Sequence, residues 1–278
     1  MMGDARKIKI RLQMPRNDRG VALLIVLLVT ALLIALIFEF SYATRISLNS
    51  AINFRNSQRA YFLARSGIFA YIKYGATLRK FIQPGVWSDV PGLSEPDTRI
   101  MFMWEDESGK IKITNVKYEP TLSMARGLFE NVKHLDTAVV NNLVDQFSDV
   151  SKLSILSGLR QYLSDEDFDK VKDSLTVSNV NQNVININAA PRDVLLSLGI
   201  VSGDVERIVE ERKTAPYREL SNVPGIGNLQ INGLALSTYL TTTEGTIFKV
   251  NATANVGDYE KHIEAVINGN VISYWRAL

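Results

Sequence analysis

The chain has 278 residues, of which 22% are charged and 46% hydrophobic, so it is too apolar for a disordered chain. A formal net charge of +2 gives no strong overall field for nucleic acid, and the absence of cysteine excludes disulfides, thiolate catalysis and thiolate metal sites. The two histidines, His134 and His262, leave little room for a histidine-based metal site or a catalytic triad. The composition therefore argues against an enzyme.

At the N-terminus a basic leader is followed directly by an uncharged apolar run. Six basic and two acidic residues precede Gly20, whereas Val21–Phe38 carries no charge and has one polar residue, Thr30. At about 1.5 Å per residue this run spans about 27 Å, close to the hydrocarbon thickness of a bilayer. Because a basic leader favours a cytoplasmic N-terminus, we expect a single-pass membrane protein whose remaining chain is translocated. An ordinary signal anchor and a cleaved secretory signal are the alternatives.

A glycine lies at the junction between the leader and the apolar run. The order Arg19-Gly20-Val21 resembles the type IV prepilin signal, in which a dedicated membrane peptidase cuts after the glycine on the cytoplasmic face. Glycine suits such a position because it has no side chain and lets the chain leave the helix. The junction predicts cleavage between Gly20 and Val21, and the resemblance implies that Val21 becomes the N-methylated mature terminus.

A single long helix is predicted from the apolar run onwards. No proline follows the run until Pro84, and apolar residues recur at helical spacing between Leu48 and Ile72. We expect one helix from about Val21 to about Lys80, apolar all round in its first third and amphipathic in its last third. The alternative is a membrane anchor followed by a separate helix.

Alternating apolar residues predict strands in two separate parts of the chain. Arg99–Trp104 and Ile111–Thr114 flank a turn-rich run, Glu105–Lys110, and are expected to form a hairpin. Three further strands are expected near the C-terminus, at Phe248–Ala254, Tyr259–Ile267 and Val271–Trp275. Because lone hairpins are marginal, we expect all these strands to join one antiparallel sheet against the long helix.

The segment between the two groups of strands, Lys117–Thr243, has a helical pattern. Ser164 is a predicted helix cap with acidic residues after it, and Gly199 is a predicted helix end. Helices are expected at Arg192–Leu198, at Ser202–Lys213 and after the glycine-rich run Val223–Gly227. A helical block inside a sheet indicates an inserted domain.

The run Val223–Gly227 (VPGIG) resembles the turn of helix-hairpin-helix modules, whose backbone N–H groups bind a DNA phosphate. Phosphate-dominated binding also needs a basic stripe. The surrounding segment, Val184–Leu240, has five basic residues against six acidic ones, and no lysine or arginine follows Gly227 within the next turn. We therefore expect a packing role for this module and no binding of nucleic acid.

Two acidic runs are candidates for calcium binding. Glu105–Glu107 and Asp165–Asp169 lack the D-x-D-x-D-G spacing that wraps one ion, and charged turns are commonly just solvated. We therefore expect no cofactor and no metal ligand set, with calcium as the alternative.

A set of local motifs follows in order along nearly the whole chain. They are the glycine junction, the long helix, WEDESGKIKITN from Trp104, ININAAPRDVL from Ile185, R-x-x-x-P-Y-R-E-L-S-N-V-P-G from Arg212, and the ISYWR ending. Together they resemble one family, the type II secretion minor pseudopilins called general secretion pathway protein K. Family members often carry Asp-Trp-x-Asp-x-Asp where this chain has Leu143–Asp149, which argues against carrying over a calcium site.

The resemblance implies an α+β, pilin-like fold. In that fold a long N-terminal transmembrane helix packs on an antiparallel sheet that is interrupted by a large all-α insert. The implied parts are a cleaved leader (1–20), the transmembrane part of the helix (21–40), an α/β head (41–116 and 244–278), and an inserted helical domain with the helix-hairpin-helix-like motif (117–243).

The implied function is that of a non-enzymatic minor pseudopilin that helps initiate pseudopilus assembly for protein export across the outer membrane. The implied partners are other minor pseudopilins, the major pseudopilin, the prepilin peptidase and the inner-membrane assembly platform. The implied location is the bacterial inner membrane, with a cytoplasmic N-terminus and a periplasmic head. The alternatives are a membrane-anchored helix-hairpin-helix DNA receptor and a minor pilin of a type IV pilus.

The fifth residue of the mature chain bears on position in the fibre. In resembling pseudopilins it is usually a glutamate that pairs with the N-terminal amine of a neighbouring subunit. Counted from Val21, the fifth residue here is Ile25, which supplies no carboxylate. A subunit that can join on one side only belongs at an end, so the resemblance implies a single copy at the pseudopilus tip.

Overall fold

The computed structural model describes residues 18–89, 97–178 and 184–278. The predicted leader ahead of Asp18 lies outside the described residues. The chain forms two compact units, residues 1–55 and residues 56–278. In the first unit the described structure is helix throughout, and every residue from Gly20 to Arg55 is exposed.

The long N-terminal helix is confirmed. Helix α1 runs over Asp18–Leu78, close to the predicted limits of Val21 and Lys80. The other α-helices are short, with a π-helical segment at Gly127–Val132 after the first of them. They are α2 (Thr121–Arg126), α3 (Thr137–Asp145), α4 (Phe147–Val150), α5 (Asp165–Val171), α6 (Arg192–Ser197) and α7 (Ser202–Thr214).

Eleven strands occur among the described residues. They are β1 (Ser88–Asp89), β2 (Thr98–Asp106), β3 (Ile111–Lys112), β4 (Leu175–Thr176), β5 (Ile185–Asn186), β6 (Gln230–Ile231), β7 (Leu234–Ala235), β8 (Leu240–Thr241), β9 (Ile247–Val256), β10 (Tyr259–Asn268) and β11 (Val271–Ala277). Five of them form one antiparallel sheet in the order β1-β2-β9-β10-β11. The three predicted C-terminal strands are therefore confirmed as neighbours in one sheet.

The predicted hairpin of Arg99–Trp104 with Ile111–Thr114 is wrong. Strand β2 pairs instead with β9, with Trp104 opposite Val250, while β3 leaves the sheet and pairs in parallel with β4. The turn between them is a 3-10 segment, Glu107–Gly109, and the isoleucines that follow it are fully buried in a different core. Burial of those isoleucines away from the sheet outweighs the local hairpin pattern.

A first hydrophobic core lies between α1 and the sheet. Ala64 and Ile68 of the helix are fully buried and cluster with Phe102 of β2. A Cβ placed on Gly67 would come within 3.2 Å of the Cβ of Ala252, so small residues on both sides let helix and strand approach closely. The pilin-like packing of a helix on an antiparallel sheet follows from this stripe of small and branched residues.

A second hydrophobic core is built from residues between Ile111 and Leu240. Its largest fully buried side chains include Phe129, Leu143 and Leu159. This part of the chain is largely helical, but it is not all-α as implied, because it also contains three two-stranded pairs, β3-β4, β5-β8 and β6-β7. The domain boundaries at residues 117 and 243 stay a prediction.

Local helix signals in this part of the chain are confirmed. The Ser164 hydroxyl accepts a hydrogen bond from the backbone N–H of Asp167 at 3.1 Å and so caps α5. Gly199 follows α6 with φ +83°, as expected for a glycine that ends a helix. Helix α7 covers the predicted Ser202–Lys213 with one residue more.

The helix predicted after Val223–Gly227 does not form. Within residues 184–278, which are described without a gap, this region forms the hairpin β6-β7 and a 3-10 segment, Leu236–Tyr239. Asn232 and Gly233 have φ values of 52° and 76°, the left-handed conformation that a tight hairpin turn requires. The Asn-Gly pair therefore determines the local structure, and the helix-hairpin-helix-like motif lacks its second helix.

Candidate functional site

The predicted processing junction lies at the start of the exposed apolar part of α1. Val21 is 61% exposed and Ile25 is 55% exposed. Gly20–Leu78 is the one helix among the described residues that is long and apolar enough to cross a membrane, judged by length and composition. The Thr30 hydroxyl donates to the carbonyls of Val26 and Leu27 at 2.9 Å, so the one polar side chain of the apolar run is satisfied within the helix. Cleavage after Gly20, methylation of Val21 and the role of Ile25 stay predictions.

A buried carboxylate joins the point where the chain leaves the sheet to the point where it returns. Asp106 ends β2, and its Oδ1 accepts from the backbone N–H of Ser108 at 2.9 Å and from the Ser108 hydroxyl at 2.7 Å. Its Oδ2 accepts from the amide Nδ2 of Asn186 at 3.1 Å and from the backbone N–H of Gly245 at 2.9 Å. One side chain thereby ties β2 to β5 and to the segment that leads into β9.

A buried lysine neutralises the acidic residues on either side of Asp106. The Lys110 ammonium lies 2.6 Å from a carboxylate oxygen of Glu105 and 2.7 Å from one of Glu107. Burial acts to lower the pKa of Lys110, and the carboxylates of Glu107 and Glu105 outweigh it, so this pKa is raised above its ordinary value. The Glu107 carboxylate also accepts from the hydroxyl of Thr176. The predicted calcium candidate Glu105–Glu107 is therefore a set of acids with partners from the protein itself.

The second calcium candidate, Asp165–Asp169, lies on α5 among its own cations. Arg160 pairs with Asp165 and Asp169, and Lys170 lies 2.7 Å from Glu166. Over residues 18–89, 97–178 and 184–278, no three histidine or acidic side chains are grouped as a metal site would need. Calcium binding stays an alternative, and the expectation of no cofactor stays a prediction.

An arginine just beyond α1 fastens the end of the helix to the sheet. The Arg79 guanidinium lies 4.2 Å from the ring centroid of Phe248, and its Nε donates to Glu244 at 2.8 Å. A second nitrogen donates to the hydroxyl of Tyr71 at 3.3 Å. Because Glu244 directly precedes Gly245, the end of α1 and the Asp106 contacts meet on the same returning segment.

Two polar side chains, Asn188 and Arg212, join the ININAAP segment to the R-x-x-x-P-Y segment. The Asn188 amide donates to the carbonyls of Tyr217 at 2.9 Å and Thr242 at 3.1 Å, and its oxygen accepts from the Tyr217 N–H at 2.8 Å. Arg212 donates to the carbonyls of Ile187 and Ala190 at 2.9 and 2.7 Å, and burial lowers its pKa. The ININAAP and R-x-x-x-P-Y motifs are therefore packing motifs that contact each other.

The turn at Val223–Gly227 already faces a negative charge. Gly225 has φ +76°, and a Cβ placed on it would lie 2.5 Å from a carboxylate oxygen of Asp204 in the first turn of α7. A phosphate at this turn would meet that carboxylate, and like charges at short range repel. That this module binds no nucleic acid stays a prediction.

Sequence reasoning missed most residues of these contacts. Asn186 lies 80 positions from Asp106 and Gly245 lies 139 positions from it, so no local spacing indicates either contact. Gly109 was also missed as a packing residue: a Cβ placed on it would lie 2.3 Å from the carbonyl carbon of Ala189. His134 follows the π-helical segment, and His262 lies on β10, where its Nδ1 is 3.0 Å from the Thr253 hydroxyl.

Comparison with known proteins identifies the fold. The structure is similar to a chain of the crystal structure of the GspK-GspI-GspJ complex from the enterotoxigenic Escherichia coli type 2 secretion system, with a TM-score of 0.58 and 11% sequence identity. The match covers 82% of this chain and 98% of that chain. No protein-family model matches the sequence, and no curated protein matches it. The chain therefore has an α+β, pseudopilin-like fold.

Proposed function

We propose that this protein is a minor pseudopilin of a type II secretion system, of the general secretion pathway protein K family. Two observations together carry the proposal. The chain has a pseudopilin-like fold, and its N-terminal helix begins with an exposed apolar segment that directly follows Gly20. The side chains of Asp106, Lys110 and Asn188 form hydrogen bonds and ion pairs within the protein, which supports a structural role for them. A minor pilin of a type IV pilus would share these features, and secretion partners that co-purify with the chain distinguish the two.

The proposed location is the bacterial inner membrane, crossed once by the first part of α1. The N-terminus would be cytoplasmic and the sheet-bearing unit periplasmic, because the basic leader precedes the apolar run. The proposed partners are other minor pseudopilins, the major pseudopilin, the prepilin peptidase and the inner-membrane assembly platform.

Processing at the glycine junction is the first test. Gly20→Leu places a side chain at the scissile position, so we expect the uncut precursor to accumulate, whereas Gly3→Leu within the leader is cut normally. Mass spectrometry of the wild-type chain is expected to show a mature terminus at N-methylated Val21. A terminus at Met1, or one beyond Phe40, would contradict the prepilin interpretation.

The proposed position is the pseudopilus tip. Ile25 leaves the chain without the carboxylate that would pair with the amine of another subunit, and a lone buried charge costs several kcal/mol wherever helices stack. One such subunit can close an end of the fibre and help initiate assembly, but it cannot repeat along the shaft.

Because the chain has no cysteine, a single introduced cysteine outside α1 reports its location unambiguously. We expect gold attached to this cysteine to label one end of each fibre. In a separate secretion assay we expect Ile25→Glu to leave secretion unchanged, and Ile34→Glu is the control for a charge elsewhere in the apolar run. Label at regular intervals along the shaft would refute the tip position.

A further inference from the structure

The five-stranded sheet has one long open edge. Strand β1 at one side of the sheet has two residues, whereas β11 at the other side has seven, Val271–Ala277. A very short edge strand offers few main-chain groups to another chain, but a long one is a template for a further strand. No described strand pairs with the outer side of β11. The sheet can therefore be extended on this side.

The outward main-chain groups of β11 belong to Trp275 and Ala277. The N–H of Leu278 donates to the carbonyl of His262 on β10 at 2.9 Å. In an antiparallel pair, successive residues alternately face the partner strand and face away from it, so Trp275 and Ala277 turn their N–H and C=O groups away from β10. The register shift in this pair falls before Tyr274, and the edge is regular after it.

A cleft of about 560 Å³ opens beside this edge. On the sheet side it is lined by Tyr274 and Arg276 of β11, and the facing wall is formed by residues 154–157, between α4 and α5. Trp275, which lies between Tyr274 and Arg276, packs against the first core instead. Alternate side chains of a strand added beside β11 would therefore point towards the cleft.

The cleft favours a carboxylate from its occupant. The described residues that line it include five cations and three carboxylates. Four of the cations have carboxylate partners within the chain, and these are Lys110, Arg160, Lys172 and Lys249. Among the residues that the structure describes, the fifth cation, Arg276, has no carboxylate within salt-bridge distance, and it is exposed. Its charge is left for a partner to neutralise.

We propose that an extended segment of a different protein adds to the sheet as a further strand beside β11. Its main chain would pair with the outward groups of Trp275 and Ala277, and an acidic side chain on its cleft side would pair with Arg276. A second copy of this chain fits less well, because its own β11 carries Arg276 and no acidic residue. The proposal goes beyond the proposed function, which gives no role to this edge or to the cleft.

A small anion fits the site less well than a strand does. An anion would use Arg276 and leave the main-chain groups of the edge without a role. An extended acidic segment uses both the charge and the unpaired edge.

The test measures binding of labelled peptides to the full chain in detergent by fluorescence anisotropy. The probe is the capped peptide Val-Thr-Val-Glu-Val-Thr, which as a strand carries valine on one face and threonine and glutamate on the other. A second peptide has lysine in place of the glutamate. We expect saturable binding of the glutamate peptide and binding at least about tenfold weaker for the lysine peptide.

Main-chain pairing is tested on the wild-type protein with two N-methylated forms of the probe. One form is methylated at the valines and the other at the residues between them. Because successive residues of a strand turn their N–H groups to opposite edges, each form blocks one edge only. We expect one form to bind at least about tenfold more weakly than the probe and the other to bind as the probe does. Equal binding by both forms would overturn the proposal.

Two variants locate the binding surface. Ala277→Pro removes an outward N–H and no bond of the β10-β11 ladder, and it is expected to weaken binding of the probe at least about fivefold. Arg276→Glu is expected to weaken binding of the glutamate peptide at least about tenfold and to strengthen binding of the lysine peptide. The matched control, Lys213→Glu, reverses an exposed cation of α7 outside the cleft and is expected to leave binding unchanged. Thermal unfolding midpoints that match the wild type show that each variant is folded.

Two further results would contradict the proposal. They are probe binding that neither Ala277→Pro nor Arg276→Glu changes, and self-association of the chain that Ala277→Pro abolishes, which would assign the edge to a second copy. Cleavage at Gly20, measured on the same preparations, tests the pseudopilin assignment separately.

Discussion

Replacing Asp106 with alanine is expected to lower the free energy of unfolding by about 3 to 5 kcal/mol. The substitution removes the acceptor of the buried Asn186 amide, of the buried backbone N–H of Ser108 and of the half-buried backbone N–H of Gly245. These donors belong to three separate segments, so their mutual attachment is lost with the carboxylate. The measurement is urea unfolding of the full chain in detergent, followed by tryptophan fluorescence, to which Trp104, buried in the first core, contributes.

Two further variants serve as comparisons for Asp106→Ala. Asp106→Asn keeps the shape, but its amide nitrogen places a donor where one carboxylate oxygen accepts from two donors, so we expect most of the loss to remain. Asp258→Ala removes a carboxylate from an exposed turn and is expected to change stability by less than about 0.5 kcal/mol. An Asp106→Ala protein as stable as the wild type would show that the carboxylate does not hold the crossing together.

Replacing Gly109 with alanine is expected to cost about 3 kcal/mol or to prevent folding. The added Cβ would lie 2.3 Å from the carbonyl carbon of Ala189 and 2.5 Å from the backbone nitrogen of Ala190. Because both obstacles are backbone atoms, no change of rotamer relieves the clash. The measurement is the thermal unfolding midpoint together with the yield of folded chain.

Gly203 is the matched control for Gly109. It lies in α7 without a positive φ, and a Cβ added to it would meet no heavy atom within 4 Å, so alanine there is expected to raise stability by up to about 1 kcal/mol. The two glycine-to-alanine changes thus have opposite expected signs. A Gly109→Ala protein that unfolds at the wild-type midpoint would contradict the close approach of the two backbones.

These variants also separate folding from assembly. Asp106 and Gly109 lie in the tertiary contacts of the second unit, whereas Gly20 and Ile25 lie on α1 in the first. We expect Gly20→Leu and Ile25→Glu to leave the unfolding of the sheet-bearing unit unchanged, because its cores contain neither residue.

Features encoded by nearby residues were predictable from the sequence. The uncharged run after Gly20, the helical stripe of α1, the Ser164 cap and the limits of α7 depend on residues within a few turns of one another. The alternation in β9, β10 and β11, with a turn between each pair, was predictable for the same reason.

The errors occurred where a local pattern competes with a distant contact. Ile111–Thr114 alternates like a hairpin strand, but burial of its isoleucines in the second core removes it from the sheet, and β9 takes the place beside β2. After Gly227 a hairpin formed where a helix was expected, because the Asn232-Gly233 turn decided the conformation.

By itself, the sequence determined the apolar N-terminal helix, its glycine junction and the class of fold, because helical and strand periodicity reflect local burial. Only the tertiary structure decided which strand pairs with β2, which acidic residues are neutralised, and that Asp106 joins the departing and returning segments. Those contacts unite residues 80 and 139 positions apart, and at such distances the choice of partner depends on how whole elements pack.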